Sequence, residues 1–239
     1  MVCTVCTSRR PETKDLMARD LELAGLKGGV TSTLFARTML CLVGLLAISG
    51  ATSVLSWGVA LSGAVHIGLF VSALVLLFVS TSMAESDSLW ALLPAGLFAG
   101  LFGYMLGPTL SNHVETLGAG TVTFAVAATT GMMAICGAVA SVVAIPYRKF
   151  EGPLLLILFG LIIFGSWRAV SGIDLAHVDL LYSLIGSGVF VIYFLVDFAR
   201  LYDRGRAGAT GWGEASLHAL NLYLDYINLL LHILAAAEE

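Results

Sequence analysis

The chain ends in an apolar segment long enough to cross a bilayer, and that segment carries an aspartate near its middle. On a helix of 3.6 residues per turn, His218, Asn221, Asp225, Asn228 and His232 fall at i, i+3, i+7, i+10 and i+14, which makes one polar stripe. The rest of the segment is almost wholly apolar. Placing an aspartate in hydrocarbon costs roughly 2.5 to 3.5 kcal/mol on insertion scales, so the stripe should face protein or water rather than lipid. The last helix is therefore expected to be an interior one. A second carboxylate, Asp197, lies on the preceding apolar run, where Tyr182, Gly186, Tyr193, Asp197 and Arg200 share a face.

Asp197 sits about five residues, or roughly 8 Å, from the end of its run, and Asp225 about ten residues, or roughly 15 Å, into the next. The depths differ by less than two turns, a mismatch that ordinary helix tilt absorbs. Two acids brought together in this way cannot both ionise cheaply and should hold one proton between them, forming a proton-sensitive latch. Each acid also has a purely structural reading. Asp197 could snorkel and pair with Arg200, three residues on, while Asp225 could hydrogen-bond to Asn221, Asn228 or a tyrosine. His66, His218 and His232 read as interfacial or hydrogen-bonded histidines before ligands, and Glu85 and Asp87 as solvated loop residues.

The chain that must position these groups is 239 residues long, 58% hydrophobic and only 12% charged, with a mean hydropathy of +0.93. That balance points to an all-α, polytopic membrane protein and excludes a soluble enzyme or a nucleic-acid partner. Apolar runs recur at residues 34–56, 59–80, 89–110, 118–145, 154–170, 180–202 and 216–236, giving seven transmembrane helices. Residues 1–33 form a charged tail without the pattern of a signal peptide, and residues 34–236 the membrane domain. Basic residues gather in that tail, at Arg148 and Lys149, and at Arg200, Arg204 and Arg206, with Arg168 alone on the other side. The distribution predicts a cytoplasmic N terminus.

The cysteines imply no disulfide framework: Cys3-x-x-Cys6 has half of a zinc spacing with no second pair after it, and Cys41 and Cys136 lie in apolar runs. On the third run Gly96, Gly100, Gly103 and Gly107 form a smooth face for close helix packing, with Pro94 as a bend and Pro108 as a stop. Gly160, Gly165, Gly186 and Gly188 could do similar work. A Gly-rich stretch from Asp203 to Glu214 reads as a flexible linker to the last helix.

Enzymatic readings are tested by particular letters, and of these only intramembrane aspartyl proteolysis remains, as a lesser alternative. A retinal Schiff base needs a lysine on the seventh helix, and the only lysines are Lys14, Lys27 and Lys149. Gly186-Ser187-Gly188 is not the setting of a serine intramembrane protease. An intramembrane aspartyl protease would also place one aspartate on each of two consecutive helices, but its Gly-x-Gly-Asp signature is absent, since Asp225 follows Leu222-Tyr223-Leu224. The chain is expected not to be an enzyme.

Two segments, ALNLYLDYINLLLHIL at 219–234 and YSLIGSGVFVIYFLVDFARL at 182–201, closely resemble the last two helices of the Bax inhibitor-1 family, particularly its bacterial calcium-leak branch. A weaker similarity in hydrophobic pattern and glycine placement reaches back to about Phe35. The resemblance implies seven helices with the last one surrounded by the other six, and a pH-regulated passive calcium leak without a cofactor. It implies that Asp197 and Asp225 are the pH-sensing pair, that Asp225 makes a transient calcium contact, and that Asn221, Asn228, Tyr193, His218 and His232 support them. Calcium ions, protons and the lipid bilayer would be the partners. The membrane would be the inner or plasma membrane in a prokaryote, or that of the endoplasmic reticulum or Golgi in a eukaryotic or viral setting. The alternative is a membrane scaffold that regulates other membrane proteins in cell death or stress. Bacterial relatives also latch the first acid with an arginine near the end of the second helix, whereas Ser80 to Asp87 here reads STSMAESD, with no basic residue.

Overall fold

The computed structural model describes residues 12–84, 89–171 and 176–238, with side chains from residue 33 onward except at 166, 168–171 and 176–177. Cys3, Cys6, Arg9, Arg10, Glu85, Asp87, Glu239 and the side chain of Arg168 lie outside the described residues. Seven α-helices and no strand make up the described chain: α1 (Glu12–Leu55), α2 (Gly63–Ala84), α3 (Leu92–Leu117), α4 (Ala119–Val142), α5 (Arg148–Ser171), α6 (Ala176–Arg206) and α7 (Trp212–Ala237). A single 3₁₀ turn, Leu89–Ala91, leads into α3. All of them but α5 are long and apolar enough to cross a membrane, α1 from Thr33 onward. The fifth has 24 residues and carries Arg148, Lys149 and Glu151 in its first turn.

Side chains that would be costly in water cover the outside of the bundle. Phe78 is 76% exposed, Leu156 74% and Val142 82%, a distribution that suits lipid and would be a liability in a soluble protein. The core runs instead along α7, where Tyr223, Leu220, Leu222, Leu229 and Leu234 are fully buried. α7 packs against α1, α2, α3, α4 and α6, so it lies at the centre of the molecule. The sixth neighbour expected from the family resemblance, α5, packs on α6 instead and reaches α7 only across a cavity.

The glycine face of α3 meets α1. A Cβ on Gly103 would run into the Ser49 carbonyl and the Thr52 hydroxyl, and one on Gly107 into the Ser53 carbonyl and the Ser56 hydroxyl. The small residues of α1 fold their hydroxyls back onto their own helix, Ser53 Oγ donating to the Ser49 carbonyl at 2.8 Å and Ser56 Oγ to the Thr52 carbonyl at 3.1 Å. The contact surface is thereby both smooth and free of orphaned polar groups. Tyr223 of α7 joins this seam by donating to Ser49 Oγ at 2.9 Å, fully buried. Gly165 and Gly186 are also packing positions, against the Tyr182 hydroxyl and the His232 ring, whereas Gly160 and Gly188 have open space around them.

Pro108 does not stop α3. It lies inside the helix, which continues to Leu117 and ends at Gly118 with φ +85°, a backbone region that side chains with a Cβ rarely enter. Within a membrane bundle the neighbouring helices hold a proline-containing helix in place despite its missing N–H. The extra turns carry His113, which is buried with Nδ1 2.8 Å from Glu238 Oε1 at the end of α7.

The Gly-rich linker is shorter and better held than its composition suggests. α6 runs on to Arg206 and α7 starts at Trp212, leaving five residues, among them Gly208 with φ +95°. Arg204 reaches across to Glu214 at 3.1 Å. Arg37 of α1 donates to the Thr210 carbonyl and lays its guanidinium 4.9 Å over the Trp212 ring. A cation–π contact at an exposed site is worth about 0.5–1 kcal/mol, so Arg37→Ala should barely lower the melting temperature. Amide hydrogen exchange at residues 207–211 should nonetheless rise several-fold, and unchanged exchange there would show that the linker is held by its own backbone.

Candidate functional site

α6 and α7 run antiparallel on either side of the short linker. Asp197 lies nine residues before the end of α6 and Asp225 thirteen after the start of α7, or about 14 and 20 Å at 1.5 Å per residue. The offset is within the range expected from the sequence, and helix packing closes it: the two carboxyl groups lie on the wall of one cavity, close enough for a hydrogen bond between them. A carboxylate has no donor of its own, so this bond requires one acid to carry a proton. Asp197 is 5% and Asp225 6% exposed.

The remaining partners of the two acids are unequal. Arg200 donates through Nη1 to Asp197 Oδ1 at 3.1 Å and through Nη2 to Glu151 Oε1 at 2.8 Å, so one guanidinium spans α6 and α5. The pairing of Asp197 with Arg200, considered above as the alternative to an acid pair, therefore coexists with it. Asp225 has no such cation, and its Oδ2 is buried with no hydrogen-bond donor in reach.

Both acids line a cavity of about 490 Å³. Tyr193, Asn221, Asn228 and His232 line it with them, which gathers most of the supporting stripe in one place. Asn228 turns its amide back to donate to the Leu224 carbonyl at 2.8 Å, and the His232 ring packs between Phe190 at 5.6 Å and Tyr182 at 5.3 Å. His218 is the exception. It is buried but lies off this cavity, with Nδ1 lacking a hydrogen-bond partner. Among the described residues no cluster of three or more His, Cys, Asp or Glu side chains gathers to hold a metal ion. The acid pair and the two asparagines are what a passing cation would meet.

A model of the family described as "Inhibitor of apoptosis-promoting Bax1" matches residues 31–237, nearly the whole of the described chain. The chain belongs to the Bax inhibitor-1 family. The positions that carry the family's acid pair by resemblance, Asp197 and Asp225, are both buried on the wall of one cavity here. The arginine that bacterial relatives place on the second helix is absent from STSMAESD, and the cation beside the first acid is Arg200, from the same helix as that acid. Glu151, on the other side of Arg200, adds a third carboxylate to this cluster, and sequence reasoning missed it. Its only signal was its place in the connection before α5, on the same side of the expected topology as Arg200.

Proposed function

We propose that this protein is a passive, proton-regulated calcium leak channel of the Bax inhibitor-1 type, with its N terminus cytoplasmic and with the Asp197–Asp225 pair as its pH-sensitive element. The observation that carries this reading is that two buried acids line one cavity inside a membrane bundle, close enough to hydrogen-bond through one shared proton. Such a bond holds only while one proton is present, so proton release replaces an attraction with a repulsion between two carboxylates in a low-dielectric setting. The repulsion acts on α7, which five other helices surround, and displacing it would alter the whole bundle. Asp225, which lines the cavity and has no cation of its own, is the natural transient contact for calcium, which takes oxygen ligands in flexible geometry.

The test is calcium efflux from proteoliposomes at two pH values, comparing the native protein with Asp197→Asn and Asp225→Asn. An amide keeps the hydrogen bond without a titratable proton, so both variants should lose the dependence on pH. Asp225→Asn should also lose most of the flux. Native flux with a native pH response in both variants would remove the acids from the mechanism.

A further inference from the structure

The cavity at the acid pair has an apolar outer wall as well as a polar inner one. Leu77 of α2 and Leu158, Leu161 and Ile162 of α5 close it on the side away from α7. α2 and α5 flank the cavity without packing on each other. Ile162, which lines it, is 54% exposed, and Phe78, Phe159 and Ile163 on the same two helices face outward as well. A mouth between two apolar, lipid-facing helices admits molecules dissolved in the membrane. It is closed to a strongly hydrated divalent ion, which would have to shed its water against leucine and isoleucine.

The charge at the inner wall is equally selective. Arg200 is set against Asp197, with Glu151 on its other side, which leaves the two aspartates room for one positive charge. A shared proton can fill that place, and Asp225, which lines the cavity, has no cation of its own. An ammonium group supplies up to three N–H donors and one positive charge. Aromatic faces stand next to it: Phe190 and Tyr193 line the cavity with ring centres 5.9 Å apart, and such faces favour cations. The volume lies within the range of small-molecule pockets.

We propose that this cavity is a binding site for lipophilic ammonium ions, which reach it sideways from the membrane between α2 and α5. The charged head sits on Asp225 and the apolar body lies against Leu158, Leu161 and Ile162. Binding displaces the shared proton, so one proton is released for each amine bound, and affinity rises with pH. The other titratable groups around the site are Tyr193 and Arg200 on α6, Glu151 on α5, and His218 and His232 on α7, while α2 contributes only Leu77 to the lining. The proposal is independent of the leak reading, because binding is measured without flux.

The experiment is calorimetric titration of the full chain in nanodiscs with 4-phenylbutylamine and, as the neutral counterpart, 4-phenylbutanol. The amine should bind saturably, and the alcohol about tenfold or more weakly, since hydrogen bonds to charged groups are worth about 1.5–3 kcal/mol. Asp225→Asn should lose the same factor. Ile162→Trp, a change at a lipid-exposed position, should block the mouth and abolish amine binding while the protein remains monodisperse. Titrations in buffers of different ionisation heat should count one proton released. Equal binding of amine and alcohol, unchanged amine affinity in Asp225→Asn, or no proton release would each overturn the site. Undiminished binding in Ile162→Trp would overturn the sideways route. Should Asp225→Asn fail to fold, the alcohol comparison and the proton count decide.

Discussion

Replacing Gly103 and Gly107 together by leucine should prevent the bundle from assembling. The atoms a side chain would strike at these positions are backbone carbonyls and short hydroxyls of α1, at Ser49, Thr52, Ser53 and Ser56, and none of them can swing aside. Insertion of extra carbons into a packed interior costs about 1–3 kcal/mol per site even where neighbours can adjust. Here the two helices must separate, and the buried Tyr223–Ser49 hydrogen bond at 2.9 Å goes with the seam. Against a total stability on the order of 5–15 kcal/mol, two such sites leave little native protein. Gly96→Ala and Gly100→Ala are the controls. Their added methyls meet Ile48 at 3.5 and 3.6 Å, ordinary contact distances, so both variants should purify and melt like the native protein. Size-exclusion profiles and thermal unfolding in detergent distinguish the cases, and a monodisperse, native-melting Gly103→Leu/Gly107→Leu protein would show that α1 and α3 do not pack this way.

Arg200→Gln should produce the second large loss, one that depends on pH. Arg200 is the only cation on Asp197 among the described residues, and it also holds Glu151 at 2.8 Å. Removing one member of a buried ion pair costs about 3–5 kcal/mol; with Arg200 31% and Glu151 41% exposed, solvent screening should reduce this to roughly 2–4 kcal/mol at neutral pH. A protonated carboxyl needs no cation, so the penalty should shrink as the pH falls and the carboxylates protonate. Glu151→Gln should cost little, because Arg200 keeps Asp197. The measurement is thermal unfolding of the three proteins at neutral and acidic pH. A loss of the same size at both would mean that Arg200 acts through packing of its stem, with no part for its charge.

Bax inhibitor-1 membership and the inward-facing polar face of the last helix are both legible before any coordinates, and for related reasons. Apolar runs of spanning length leave few structural choices, and an aspartate within such a run must turn inward. His218, Asn221, Asp225, Asn228 and His232 mark one face by helical periodicity alone, and four of the five do line the cavity. Periodicity names a face without naming its neighbour, which is why His218 was grouped with the cavity although it lies off it. The same limit hid Glu151, a loop carboxylate by every local criterion until α5 packs on α6 and brings it to Arg200.

Local rules also misjudged two connections. Pro108 was read as a stop because proline lacks a backbone donor, but neighbouring helices keep α3 continuous to Leu117 and so bring His113 to Glu238. The stretch from Asp203 to Glu214 was read as flexible from its glycines, yet Arg37, distant in sequence, ties it to α1. The amino-acid sequence by itself determined the helices, their apolar surroundings and which faces carry charge, since those depend on composition and a fixed 3.6-residue repeat. The tertiary structure alone decided which charges meet, that α5 stands apart from α7, and that a cavity lies between them. Such contacts depend on crossing angles and offsets between helices far apart in the chain.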